Sequence, residues 1–266
     1  MSLRTLNRTA GTLWPITVDD LLASGRLGEL RAWLDAHEDA VREAERLGDD
    51  VRPAPLLLHP PKILGVGLNY QAHAGDLGEE RPSEPATFMK PATTIVGPGD
   101  EIVIPRASQR TTGEAELALV IGRRCRDVPA ADAPSVVAGL VAVIDMTAED
   151  ILQRNPRFLT RAKSFDTFLS VGAEMVSVDE VPDITKVEVA TLHGSREHRR
   201  DTVAHMRFGP WELVSFFSHV STLEPGDMIS TGTPGAAVLA DGDTIGCVVT
   251  GVGEVHNPVR AEGARA

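Results

Sequence analysis

Two glutamates stand one residue apart at the start of an apolar segment, in the sequence TTGEAELALVIG at positions 111–122. Residues two apart in a β-strand point to the same face, so Glu114 and Glu116 would present two carboxylates side by side. Such carboxylates repel each other unless a cation lies between them or one of them is protonated. From this pair alone, an alternative interpretation is that both glutamates are solvated at the edge of a strand.

A third carboxylate follows a second apolar segment, GLVAVID, which ends at Asp145. An ionised aspartate at the end of a buried strand is unfavourable unless it is paired or binds a metal. Three carboxylates from two strand ends form an all-oxygen ligand set, which suits Mg²⁺ or Mn²⁺, with Ca²⁺ as a further candidate. The histidine or thiolate spacing typical of zinc is absent. The sequence therefore predicts a divalent-metal centre at Glu114, Glu116 and Asp145.

A histidine and an acidic residue lie close together in the segment GVGLNYQAHAGDLGEERPSEP. Asp76 comes three residues after His73, a spacing that places both on one face of a short helix. A histidine oriented by a carboxylate is typical of a general base, although a surface histidine on a loop fits the same pattern. The polar residues that follow, Glu79 and Glu80 among them, are typical of a lid that closes over substrate.

Two further segments carry groups that bind anions. Lys163, in RAKSFDTF, lies among apolar neighbours and can pair with a substrate carboxylate, although a surface lysine is the alternative. In ISTGTPG, the hydroxyls of Thr231 and Thr233 and the neighbouring backbone N–H groups can hold an anionic group. This turn lacks the GK[ST] ending of a Walker A loop.

Composition excludes several classes of protein. The net charge of −12 and the scattered lysines and arginines argue against a nucleic-acid-binding surface. The N-terminal residues lack the apolar core of a secretory signal, and the longest apolar run, Val136–Ile144, is much shorter than the roughly 20 residues of a membrane span. We therefore expect a cytoplasmic protein with no membrane partner.

The elements that must position these residues follow from the hydrophobic pattern. Residues 17–48 predict one helix, with Thr17 and Asp20 as a capping-box-like start and Gly48 at its end. A proline-rich linker follows up to residue 61. Beyond it, short apolar runs between glycines and prolines predict strands: ILGVG, ATFMK, EIVIP, ELALVIG, GLVAVID, VEVATL, MISTG and TIGCVVTG. A further helix is predicted near 210–221.

Taken together, residues 62–260 resemble the fumarylacetoacetate hydrolase family. Its short members include acylpyruvate hydrolases, oxaloacetate decarboxylases and 2-hydroxyhepta-2,4-diene-1,7-dioate isomerases. The resemblance rests on segments that occur in the family's order: GVGLNYQAH, EPATFMKPATTIVGPGDEIVIP, GEAELALVIG, IDMTAEDI, AKSFDTF, LEPGDMISTGTP and GVGEVHNPV.

The resemblance implies a mixed α+β fold that is mainly β. It implies the family's β-roll, which is described as β-clip-like, with a small N-terminal α-containing domain. On this interpretation residues 1–60 form the small domain or cap and residues 61–262 form the catalytic domain. The family usually assembles as a homodimer and acts on small-molecule oxo-acids.

The resemblance also implies roles for single residues. Glu114, Glu116 and Asp145 would hold the metal. His73 would work with an acid to activate water, and Lys163 would act on the substrate's charge. The residues expected to bind substrate are Asn69, Tyr70, Gln109 and Thr233.

The chain departs from the family pattern around the substrate. Asp76 stands where relatives carry glutamate, which is one methylene longer. Either the lid closes more tightly, or Glu79 or Glu80 partners His73, or the water-activating pair is weakened. Leu68 replaces the arginine of some acylpyruvate hydrolases, which removes an anion contact. These changes leave the identity of the oxo-acid open.

The function expected from this resemblance is a divalent-metal-dependent hydrolase. It would cleave a C–C bond of an acylpyruvate or related 2,4-dioxo acid through a metal-bound enolate. The same chemistry supports a decarboxylase, or a tautomerase or isomerase, of an oxaloacetate-like acid. A non-catalytic relative that binds a metal or an oxo-acid is the alternative of another class.

Overall fold

The structure, a computed structural model, describes residues 3–43, 53–70 and 83–264. The helices within these residues are α1 (Leu3–Ala10), α2 (Val18–Ala23), α3 (Leu27–Ala36), α4 (Glu38–Glu43), α5 (Glu149–Arg154), α6 (Leu159–Lys163) and α7 (Pro210–Val220). The strands are β1 (Ile63–Gly67), β2 (Ala86–Lys90), β3 (Ile95–Val96), β4 (Ile102–Ile104), β5 (Thr111–Ile121), β6 (Val137–Ala148), β7 (Leu169–Val171), β8 (Glu188–His193), β9 (Arg196–Thr202), β10 (Met228–Ser230), β11 (Ala236–Leu239), β12 (Thr244–Val249) and β13 (Gly253–Ala261).

Two sheets form the body of the protein. The first has the order β2-β1-β10-β5-β6-β7-β3, and β11 also pairs with β5. The second has the order β4-β13-β12-β8-β9. The pairs β1/β10, β3/β7 and β4/β13 are parallel, and the other pairs are antiparallel. The fold is thus mixed α+β and mainly β, as expected.

The two faces of β5 contact different cores, because successive side chains point in opposite directions. Its odd-numbered residues from Ala115 to Ile121 join the large core that includes side chains of the second sheet. Its even-numbered residues Ala118 and Val120 join a smaller cluster on the other face, together with Leu22 of α2 and Leu57. Glu114 and Glu116 therefore belong to the face that the N-terminal part of the chain helps to cover.

The N-terminal part is helical, but the single helix predicted over 17–48 is wrong. The predicted start is confirmed, since Thr17 Oγ1 accepts the backbone N–H of Asp20 at 3.1 Å. The helix then ends after one and a half turns, because Gly25 takes a left-handed φ of +69°. The predicted end, Gly48, lies outside the described residues.

Every strand predicted from the sequence is present, and β5 and β6 extend further than expected. The pattern missed five strands: β3, β7, β9, β11 and β13. The predicted helix near 210–221 is confirmed by α7. In the described ranges, no helix combines the length and the apolar character that a membrane crossing requires.

Candidate metal centre

Three carboxylates meet where β5 and β6 pair. Glu114 and Glu116 share one face of β5, and Asp145 on β6 is the register partner of Glu114. One oxygen atom from each carboxylate lies within 4.8 Å of the others. Glu116 and Asp145 are buried, and Glu114 is half-buried. The structure thus brings together the three residues predicted as metal ligands, whose role as ligands stays a prediction.

Hydrogen bonds orient both glutamates. Oε2 of Glu116 accepts the backbone N–H of Gly232 at 2.8 Å and the hydroxyl of Ser230. Oε1 of Glu114 accepts the Thr147 hydroxyl at 2.7 Å. Each glutamate keeps oxygen lone pairs beyond these bonds, since a carboxylate has about four acceptor sites.

Two buried lysines contact the cluster. Nζ of Lys163 donates to Oδ2 of Asp145 at 2.5 Å and to Oε2 of Glu114 at 3.1 Å. Nζ of Lys90, at the end of β2, donates to Oδ1 of Asp145 at 2.5 Å and to the backbone O of Met146 at 3.2 Å. The sequence predicted a substrate role for Lys163 and gave no role to Lys90.

The electrostatics of the cluster favour an additional positive charge. Burial, and then the charge of Asp145, raise the pKa of Glu116 to about 8. Burial also acts to raise the pKa of Asp145, but attraction to Lys163 and Lys90 holds it below its usual value. Burial lowers the pKa of Lys90 to about 8. Without a cation, Glu116 therefore keeps a proton at neutral pH, and a divalent cation, which fits this oxygen-only donor set, would displace that proton on binding.

An aromatic ring supports the lysine pair. Nζ of Lys163 lies 4.7 Å from the ring centroid of Phe88, a cation–π distance. Phe88 is the register partner of Gly65. A Cβ atom on Gly65 would lie 2.2 Å from the ring, so the ring can occupy this place only over a glycine. The first glycine of the GVG segment therefore makes room for the ring beneath Lys163.

Asn69 joins backbone segments, although the sequence predicted it to bind substrate. Its side-chain amide donates to the backbone O of Phe208 at 3.0 Å and of Thr231 at 2.8 Å, and its Oδ1 accepts Phe208 N–H at 2.9 Å. Leu68, just before it, has a left-handed φ of +56°, which a leucine rarely adopts. We interpret the three hydrogen bonds of Asn69 as holding this strained turn next to Gly232. The backbone N–H of Gly232 in turn donates to Glu116.

Replacing Asn69 by alanine is expected to lower the free energy of unfolding by about 2–4 kcal/mol, because buried backbone groups lose their partners. Urea denaturation measures this loss. Asn257 is a matched control, since its buried amide also bonds three groups, on Ser170, Gly97 and Asp100. Both alanine variants should be destabilised, but only Asn69→Ala should weaken Mn²⁺ binding. Equal Mn²⁺ affinity in the two variants would contradict this interpretation.

The other predicted substrate-binding residues lie in different surroundings. Tyr70 is fully buried in the large core, and its hydroxyl has no hydrogen-bond partner among the residues that the structure describes. Thr233 lies in the turn that follows Gly232, where its hydroxyl bonds to the backbone of Gly235. Gln109 is exposed on the segment before β5. Of these three residues, only Thr233 is next to a residue that bonds the carboxylate cluster, namely Gly232.

The residues predicted to activate water are His73 and Asp76, with Glu79 and Glu80 as alternatives to Asp76. All four lie outside the described residues, so their roles stay predictions. Residues that the sequence did not single out contribute instead to the described part of the site: Lys90, Phe88, Thr147, Ser230 and Gly232.

Comparison with known proteins identifies the family. The family model described as fumarylacetoacetate (FAA) hydrolase C-terminal matches residues 62–260. The chain belongs to this family. A protein of Archaeoglobus fulgidus is 40% identical over 199 residues, which make up 74% of this chain and 78% of that relative. The resemblance seen in the sequence is confirmed.

Solved structures of family members are similar over most of the chain. One is 5-carboxymethyl-2-hydroxymuconate delta-isomerase from Mycobacterium smegmatis, with a TM-score of 0.73 and 38% identity, covering 81% of this chain and 84% of that chain. Another is maleylpyruvate hydrolase from Sphingobium sp. SYK-6 in complex with manganese(II) and pyruvate. Its TM-score is 0.80 at 26% identity, covering 96% of this chain and 91% of that chain. Isomerases and hydrolases thus share this fold.

Proposed function

We propose that this family member is a divalent-metal-dependent hydrolase that cleaves a C–C bond of an acylpyruvate or related 2,4-dioxo acid. The observation that carries the proposal is the buried cluster of Glu114, Glu116 and Asp145, whose oxygen atoms lie within 4.8 Å of one another. With all three carboxylates ionised, its negative charge exceeds the positive charge of the two lysines, so the cluster is suited to Mg²⁺ or Mn²⁺.

Each part of the site would have its own task. Glu114, Glu116 and Asp145 would hold the cation, which when bound supplies Lewis-acid stabilisation of the negative charge that develops on a 2-oxo acid. Lys163 would pair with the carboxylate of the substrate. Burial acts to lower the pKa of Lys163, but the charges of Asp145 and Glu114 raise it above its usual value, so Lys163 stays an ammonium group.

The hydrolytic step would use His73, oriented by Asp76, as a general base. His73 would take a proton from water, and the resulting hydroxide would add to the distal carbonyl carbon of the substrate. The bond between this carbon and the neighbouring methylene would then break, with its electron pair going to the methylene. Return of the proton to that carbon would give pyruvate and a carboxylic acid.

The manganese complex of maleylpyruvate hydrolase supports this proposal, because that relative was solved with manganese(II) and pyruvate together. The 38% identity to an isomerase favours a second candidate, tautomerisation of an unsaturated oxo-acid. Isomerisation needs only proton transfer between two carbons, whereas hydrolysis also needs water. The two candidates therefore differ in their products.

Turnover of acetylpyruvate with added Mn²⁺ tests the proposal. We expect loss of the diketone absorbance, formation of pyruvate and acetate, and abolition of turnover by EDTA. His73→Ala should lower kcat by about 10²–10⁴-fold, the usual contribution of a general base. His59→Ala is the control, since His59 is exposed on the segment before β1. Turnover that survives EDTA, or that is equal in the two variants, would refute the hydrolytic mechanism.

A further inference from the structure

A second buried lysine contacts the carboxylate cluster from a distant part of the sheet. Lys90 ends β2, and its side chain is 1% exposed. Its Nζ donates to Oδ1 of Asp145, whereas Lys163 donates to Oδ2. Each oxygen of the Asp145 carboxylate is therefore held by a different lysine, so the carboxylate has little freedom to rotate.

The two lysines differ in their other contacts. Lys163 also donates to Glu114 and to the Thr147 hydroxyl, so it lies among the candidate ligands. The second bond of Lys90 goes to the backbone O of Met146, the residue after Asp145 on β6. Lys90 is thus attached to the strand that carries Asp145, and it has hydrogen bonds to Asp145 rather than to the two glutamates.

Contact between Lys90 and Asp145 requires the first sheet to curl. The sheet order β2-β1-β10-β5-β6 separates their strands by four positions. In a flat sheet this is roughly 19 Å, far beyond the reach of a lysine side chain. Since Nζ lies 2.5 Å from Oδ1, the edge strand β2 must turn back over β6. The curl of the sheet therefore brings Lys90 to the place from which it orients one candidate ligand, Asp145.

We infer that Lys90 is a positioning residue, which fixes the Asp145 carboxylate in the orientation that the proposed cation needs. The inference rests on the proposed function, because it concerns the same cation site. Two effects of Lys90 on cation affinity oppose each other. Its positive charge repels a cation, so charge alone predicts tighter binding when Lys90 is removed. Its hydrogen bond orients a ligand, so positioning predicts weaker binding.

The test measures the Mn²⁺ dissociation constant by electron paramagnetic resonance, without substrate. Lys90→Met removes both the charge and the hydrogen bond, and we expect affinity to fall about 10–100-fold, as for other groups that orient metal ligands. Lys90→Gln keeps an N–H donor and lacks the charge, so the positioning role predicts that it binds Mn²⁺ more tightly than Lys90→Met does. Lys62→Met is the matched control, because Lys62 also pairs with a buried aspartate, Asp227, at 2.5 Å.

The outcomes separate this inference from the proposed function. Weaker binding by Lys90→Met, with the control unchanged, supports the positioning role. Unchanged or tighter binding by a folded Lys90→Met overturns it and leaves the metal centre intact. If Lys90→Met does not fold, a crystal structure of the Mn²⁺-bound wild type decides, and Lys90 still donating to Asp145 is the supporting result. Wild-type protein that binds no Mn²⁺ overturns both proposals, and a Mn²⁺-bound crystal structure in which Lys90 has left Asp145 overturns the positioning role alone.

Discussion

Replacing Asp145 by asparagine is expected to abolish both Mn²⁺ binding and turnover. The substitution keeps the shape of the side chain but removes the charge from a fully buried position between Glu114, Lys90 and Lys163. Losing a metal ligand forfeits several kcal/mol of transition-state stabilisation, which is about a thousandfold or more in kcat. This is the largest effect that we expect from a single substitution.

The same change should also lower stability. Lys163 keeps Glu114 as an ionic partner, but Asp145 is the carboxylate with which Lys90 pairs. Removing one member of a buried ion pair leaves an uncompensated charge, which is destabilising by about 3–5 kcal/mol. We therefore expect a clear fall in the urea midpoint of Asp145→Asn at pH 7, measured without metal.

A matched control separates stability from metal binding. Asp227 is also fully buried and paired with a lysine, and its backbone O accepts the N–H of Ile121 at the far end of β5. Ile121 lies seven positions after Glu114 along the extended strand, a distance of roughly 24 Å. Asp227→Asn should be destabilised but keep wild-type Mn²⁺ affinity. If both variants lost Mn²⁺ binding, the effect of Asp145→Asn would reflect unfolding rather than a lost ligand.

The sequence predicts the carboxylate cluster well because local geometry decides it. A period of two places Glu114 and Glu116 on one face whatever the rest of the fold does. Asp145 is predicted to join them because burying an ionised group without a partner has a high free energy. The register that places Asp145 opposite Glu114 is consistent with both arguments, although neither one predicts it.

Lys90 shows where such reasoning stops. The strand ATFMK was predicted, and alternation places Lys90 on the same buried face as Phe88. A lysine on the buried side of a strand is unusual, because its charge needs a buried partner. Its partner could not be predicted, because the contact with Asp145 depends on the curl of a sheet whose strand order does not follow the chain.

Other differences have similarly physical causes. The strand β9 has the sequence REHRRDT, whose exposed charged residues have no apolar alternation, so it was missed. The short strand β7 has three residues, all of them buried, which is too few to show an alternation in the sequence. The bonds of the Asn69 amide to the backbone of Phe208 and Thr231 depend on the folded turn and could not be predicted, and its role toward substrate stays a prediction.

Replacing Lys163 by methionine is expected to strengthen Mn²⁺ binding while lowering turnover. Nζ of Lys163 bonds two of the candidate ligands, Asp145 at 2.5 Å and Glu114 at 3.1 Å, whereas Lys90 bonds Asp145 alone among them. Lys163 therefore occupies oxygen atoms of two ligands, and its charge opposes entry of a cation between them. Loss of its hydrogen bond to a substrate carboxylate should lower kcat/KM by about 10–150-fold, since bonds to charged groups contribute about 1.5–3 kcal/mol. The variant therefore separates cation binding from catalysis.

The stability of the Lys163→Met variant should depend strongly on the metal. Without a cation, the three carboxylates of Lys163→Met are left with Lys90 as their one described ammonium contact, so Tm should fall. A ligand that binds only the folded state stabilises it by RT ln(1 + [L]/Kd), so tighter Mn²⁺ binding gives a larger increase in Tm than in the wild type. Calorimetry with and without Mn²⁺ measures both effects.

Arg161→Met removes an exposed charge on the same helix, α6, so it is the control and should resemble the wild type. A smaller Mn²⁺-induced increase in Lys163→Met than in the wild type would show that Lys163 assists cation binding, in the way inferred for Lys90, rather than opposing it.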